Sequence, residues 1–118
     1  MRRLPAALSG AALLLVWLLS GGAALAQALE PLTIATRAGQ AHQFQVEVAR
    51  TDAERAQGLM FRRTMAADRG MLFDFARVEP VSMWMQNTYL PLDMLFIRPD
   101  GTIARIAEDT EPLSTRIV

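Results

Sequence analysis

The sequence has no cysteine and no lysine, and its single histidine is His42. The first absence removes disulfides, thiolate metal sites, a thiol nucleophile and a lipid-modified N-terminal cysteine. The second removes Schiff-base chemistry and a phosphate-loop lysine, because every basic side chain here is an arginine. A net charge is also lacking: 12 basic residues face 12 acidic ones in 118 residues. That length suits one small domain rather than two.

What is present begins with a leader. Arg2 and Arg3 form a short positive region, Ala11 to Leu19 is an unbroken apolar run, and Ala24-Leu25-Ala26 supplies small residues at the positions a signal peptidase reads. The expectation is a signal peptide over residues 1–26, cleaved before Gln27, and hence a periplasmic or secreted protein. The competing reading is an uncleaved anchor over Leu4–Ala26, in which case the leader is the one segment that meets a membrane. The strictly apolar stretch is far shorter than the roughly 20 residues of a spanning helix. Leu4-Pro5 after the arginine pair does not extend a twin-arginine motif.

Residues 27–118 hold ten arginines and twelve acids, a net charge of −2. Five arginines fall in one window (Arg50, Arg55, Arg62, Arg63 and Arg69), but Asp52, Glu54 and Asp68 dilute them. An exported, slightly acidic domain lacks the clustered basic surface that nucleic acid demands.

The pattern after Gln27 is mostly strand. Leu32–Thr36 reads as a first strand and Arg37–Gln40 as a turn. His42–Val48 alternates, with Phe44, Val46 and Val48 on one face. Thr51-Asp52-Ala53-Glu54 is a capping box that opens a helix over about Asp52–Leu59. Gly70–Phe75, Val81–Thr88 and Leu92–Ile97 read as further strands. Arg98-Pro99-Asp100-Gly101 has proline, aspartate and glycine in the order a hairpin turn requires, joining Leu92–Ile97 to Thr102–Glu108. Six or seven short strands imply a mainly β domain, a small antiparallel sandwich or partly open barrel with one short helix. The apolar ending Arg116-Ile117-Val118 leads to the expectation that C-terminal strands are missing and the fold continues beyond it.

The run Thr51–Arg62, then Gly70-Met71-Leu72-Phe73, then Met83-Trp84-Met85-Gln86-Asn87-Thr88 followed by Pro91-Leu92-Asp93, resembles the family known as domain of unknown function 192. The resemblance covers about Leu32 to Pro112. It implies a small, mainly β, often exported domain with a short helix packed against it, and further strands after the position of Pro112. The family has no agreed activity, so the resemblance supplies no reaction.

Three kinds of site compete. For an enzyme, His42 starts the core-facing side of its strand, and Ser82 and Ser114 lie in no nucleophile elbow. The carboxylates Asp74, Asp93, Asp100 and Glu108 form no readable acid–base pair. No catalytic residue is assigned, and a hydrolase-like enzyme ranks third. For a metal, Met83 and Met85 point the same way from a strand, with Trp84 opposite. Paired thioethers select copper(I), a feature similar to one in periplasmic copper and silver chaperones. The competing reading makes both methionines adaptable core filler.

For a ligand cleft, Asn87 and Thr88 end one strand with hydrogen-bonding groups, and Asp93 interrupts the next, apolar one. A carboxylate in such a place needs a partner. Arg62 is the expected partner, either pinning helix to sheet or forming a binding site with Asn87, Thr88 and Asp93. The favoured reading is an exported accessory or binding module for a small polar or anionic molecule or a protein partner, without a cofactor. The alternative is a soft-metal protein that holds copper or silver through Met83 and Met85.

Overall fold

The computed structural model describes residues 28–118. The expected signal peptide lies outside them, and among the described residues no helix is long and apolar enough to cross a membrane. Among the described residues five strands and one helix follow in order: β1 Glu30–Ala35, β2 Ala41–Ala49, α1 Asp52–Gln57, β3 Arg69–Phe73, β4 Met94–Ile97 and β5 Ile103–Ala107. They form a three-stranded sheet ordered β1-β2-β3 and a two-stranded sheet β4-β5, with no closed barrel. The expected fold class, mainly β with one short helix, is the observed one.

Strands β1 and β2 are antiparallel, with Leu32 opposite Phe44 and Ile34 opposite His42. Their turn closes through the Thr36 amide and the Gln40 carbonyl at 2.8 Å, around Gly39 at φ 82°. Strands β2 and β3 are parallel, with Val46 opposite Gly70 and Val48 opposite Leu72. The sequence reading expected antiparallel strands. The difference arises from α1, which lies between the two strands and carries the chain back so that β3 runs the way β2 does.

The capping box forms as expected. The Thr51 hydroxyl accepts the Glu54 amide at 3.1 Å, and the Glu54 carboxylate accepts the amides of Thr51 at 3.0 Å and Arg50 at 3.1 Å. The helix ends before Leu59 because Gly58 leaves helical geometry at φ 50°, ψ −130°. A Cβ there would meet the Phe73 ring at 3.1 Å, so the glycine also lets helix and sheet approach closely. Arg55 fastens the helix by donating to the carbonyls of Arg50 at 2.8 Å and Asp74 at 2.7 Å.

Val81–Thr88 is the main departure from the sequence reading, since none of it enters a sheet ladder. The segment is held instead by the last residues of the chain. The Val118 amide donates to the Met83 carbonyl at 2.8 Å, Met85 to Ser114 at 3.0 Å, and Leu113 to Thr88 at 3.0 Å. Asn87 turns left-handed at φ 54° and ends the extended run. The inside–outside alternation nevertheless survives: Met85 is 1% exposed and Trp84 45%.

The β4–β5 hairpin turns where the Arg98–Gly101 signal placed it. Gly101 sits at φ 89° and donates to Arg98 at 2.9 Å, and the Asp100 carboxylate takes the amide and hydroxyl of Thr102. Among the described residues the buried apolar ones are Val46, Val48, Ala49, Leu59 and Met85.

Candidate functional site

Alternation along β2 sends Val46 and Val48 into the core and Glu47 to the other face. At Glu47 that face is largely covered, although Gln43 and Gln45 further along it are exposed. In the parallel register Glu47 lies beside Met71, and the Glu47 side chain is only 15% exposed. A half-buried carboxylate here requires a cation. Arg62, on the loop that leaves α1, supplies it: Nη2 donates to Oε1 at 3.0 Å and Nη1 donates to Oε2. These hydrogen bonds from Arg62 to Glu47 push the guanidinium pKa up, so its charge is fixed.

This corrects the expected pairing of Arg62 with Asp93. Asp93 precedes β4 and is exposed, so it does not interrupt a buried strand. Its carboxylate accepts the amide of Asp109 at 2.9 Å, a residue held left-handed at φ 46°. Its neighbour Leu92 is tied to Thr110, whose hydroxyl accepts the Leu92 amide at 3.2 Å and lies 2.9 Å from the Leu92 carbonyl. Leu92 and Asp93 thus close the far end of the hairpin, and β4 begins only at Met94.

The ion pair lines a cleft of about 310 Å³ together with Leu29, Thr64, Met65, Ala66, Arg69 and Gly70. A smaller hollow of about 90 Å³ lies on the other side of Arg62, against Glu54, Gln57, Gly58 and Met71. The two arginines of the larger cleft differ. Arg62 is saturated by Glu47, whereas Arg69, on the first position of β3, makes no side-chain hydrogen bond or ion pair among the described residues. Glu47 is the only acid among the described residues of the lining, so these residues together carry one uncompensated positive charge. Arg69 and Thr64 line this cleft, and neither is among the site residues expected from the sequence. The parallel pairing that places Arg69 beside Gln45, two residues before Glu47, is the signal that would have found Arg69.

Of the other expected site residues, Asn87 is brought close to Arg62 along the backbone, because its carbonyl accepts the Phe61 amide at 2.9 Å. Thr88 is 6% exposed and its hydroxyl donates to the Gln86 carbonyl at 3.1 Å, so it orders its own turn. Neither lines the cleft. Met85 is enclosed and its sulfur lies 3.2 Å from the Thr110 hydroxyl, while Met83 is half-buried and Trp84 points outward. His42 stands exposed on β2 opposite Ile34. Among the described residues, no buried side-chain polar atom lacks a partner.

Residues 33–118 match the model of the domain of unknown function 192 family, described as an uncharacterized ACR. Two crystal structures are similar to this chain. One, from Sinorhizobium meliloti 1021, is of a protein provisionally described as a transcription regulator. It is 52% identical at a TM-score of 0.77, over 80% of this chain and 73% of that one. The other is a protein of unknown function from Novosphingobium aromaticivorans DSM 12444, 36% identical at a TM-score of 0.73 over 76% of this chain. This chain spans 64% of the Novosphingobium protein's length. No curated protein matches.

Proposed function

This chain belongs to the domain of unknown function 192 family, and we propose that it works as an exported binding module that takes a small anion in the cleft beside Arg62. The observation that carries the reading is the contrast between the two arginines there. Glu47 neutralises and orients Arg62, leaving Arg69 as a guanidinium in the cleft lining without an acid partner among the described residues. A planar fork of donors with Thr64 nearby suits a carboxylate, sulfate or phosphate. The export half of the reading rests on the positive, apolar and small-residue parts of residues 1–26.

A ligand that binds only the folded protein raises its thermal midpoint by mass action. Acetate, sulfate and phosphate are to be compared with neutral simple sugars, in the wild type and in Arg69→Ala. The expected outcome is a midpoint rise with an anion that disappears in the variant. A rise that is the same in both proteins, or a response to sugars alone, contradicts the reading. For export, the mass of the protein recovered from the periplasm or medium is expected to correspond to a chain that starts at Gln27.

A further inference from the structure

Two turns distant in sequence meet at the hydrogen bond from the Phe61 amide to the Asn87 carbonyl. Both residues are left-handed, at φ 67° and 54° respectively. Asparagine enters that region readily, but for phenylalanine it is an outlier. Met60 and Arg62 on either side are half-buried, whereas the Phe61 ring is carried outward and stands 57% exposed. Across the junction Tyr89 is 38% exposed, and the two rings meet edge to face with centroids 6.2 Å apart. The guanidinium of Arg63 lies 5.3 Å over the Tyr89 ring and makes no ion pair or hydrogen bond among the described residues.

We propose that Phe61, Arg63 and Tyr89 form a docking site for a protein partner that presents an apolar side chain next to a carboxylate. The two rings give a firm apolar surface, because each buttresses the other and both turns are pinned to one another. Stacking on Tyr89 orders the Arg63 fork while leaving its N–H edges free. The group that completes such a fork is a carboxylate. An apolar group alone leaves the guanidinium unmatched, and a carboxylate alone leaves the rings in water.

Tyrosine, phenylalanine and arginine are also the side chains enriched at the centres of protein interfaces. The backbone supplies a further argument. Asparagine or glycine suits the Phe61 position better, so the fold keeps an exposed ring where its own stability does not call for one. The site is separate from the anion cleft, since Arg62 turns to Glu47 and Arg63 to Tyr89.

The test is amide NMR of the 15N-labelled protein titrated with acetyl-Ala-Phe-Asp-Ala-amide and with the same peptide carrying Asn for Asp. Expected are shifts concentrated at Phe61, Arg63, Asn87 and Tyr89, with the Asp peptide binding about twofold to fivefold tighter, the gain of a solvent-exposed charge pair. Phe61→Asn, which accepts the left-handed backbone, is expected to abolish the response while the thermal midpoint holds or rises. Arg63→Gln is expected to reduce the Asp peptide to the level of the Asn peptide.

No shift at these residues overturns the proposal, and so does an equal response to both peptides. Shifts there that grow with protein concentration alone replace the partner with a second copy of the chain. A Phe61→Asn protein that loses stability but still binds makes the ring structural and likewise overturns it.

Discussion

Arg62 and Glu47, 15 residues apart in sequence, form a two-point ion pair that joins the loop after α1 to strand β2. The two ends are not equivalent. The Arg62 side chain is 36% exposed and water can reach it, whereas Glu47 is 15% exposed and depends on its partner. Removing the arginine therefore strands a poorly hydrated carboxylate, while removing the acid leaves a cation that can rehydrate. Arg62→Ala is expected to cost about 2–3 kcal/mol and Glu47→Gln about 1–2 kcal/mol. Urea unfolding of both variants measures the difference, and equal costs would contradict the asymmetry.

Gly58 holds a backbone geometry that side chains resist, and a Cβ would press on the Phe73 ring at 3.1 Å. Gly58→Ala is expected to destabilise by about 1–3 kcal/mol, through strain and through the displaced ring. Thermal unfolding measures the loss, and an unchanged midpoint would mean that helix and sheet can separate at no cost.

Thr110 is 8% exposed, and its hydroxyl serves the Leu92 amide, the Leu92 carbonyl and the Met85 sulfur. Thr110→Val keeps the shape but leaves the Leu92 amide without its acceptor. The expected cost is about 1–3 kcal/mol. Hydrogen exchange adds a local signature, because the Leu92 amide is expected to lose protection before the strand amides of β2 do.

Two exposed carboxylates give the fold an acid-sensitive part. Glu54 is held below the ordinary glutamate range by the backbone amides of Arg50 and Thr51 and by the Thr51 hydroxyl. Asp100 is held below the aspartate range by the hydroxyl and amide of Thr102. Each carboxylate is more acidic folded than unfolded. Its contribution is therefore complete above the ordinary carboxylate range and lost as pH falls through the folded value. Unfolding midpoints measured from neutral pH downward are expected to fall, and to fall less steeply in a Glu54→Gln, Asp100→Asn protein, although its stability at neutral pH starts lower.

The parts of this fold that were legible in the sequence are those decided by neighbours in the chain. Thr51 and Glu54 cap the helix within one turn, and Pro99, Asp100 and Gly101 make their hairpin from their own backbone preferences. Met83, Trp84 and Met85 keep their alternation for the same reason. What the sequence did not disclose depends on residues far away. Met83, Met85 and Thr88 find backbone partners at residues 113–118 and Asn87 finds one at Phe61, so Val81–Thr88 enters no sheet ladder. Glu47 alternates with the apolar Val46 and Val48, and nothing local announces that Arg62, on the loop after α1, pairs with it.

Sequence alone matches Arg62 to Asp93, because a carboxylate in an apolar run looks buried until its strand is seen to start later, at Met94. A helix between two strands was visible, and it was the available sign that β2 and β3 are parallel. With that pairing, Arg69 falls into the same cleft.

The proposed anion site assigns binding to Arg69, while Glu47 keeps Arg62 occupied. Calorimetric titration of sulfate and acetate into the wild type, Arg69→Ala and Glu47→Gln tests it most directly. Binding is expected to be lost in Arg69→Ala and strengthened in Glu47→Gln, where the second guanidinium is released and an acid removed. The same affinity in all three proteins would contradict it.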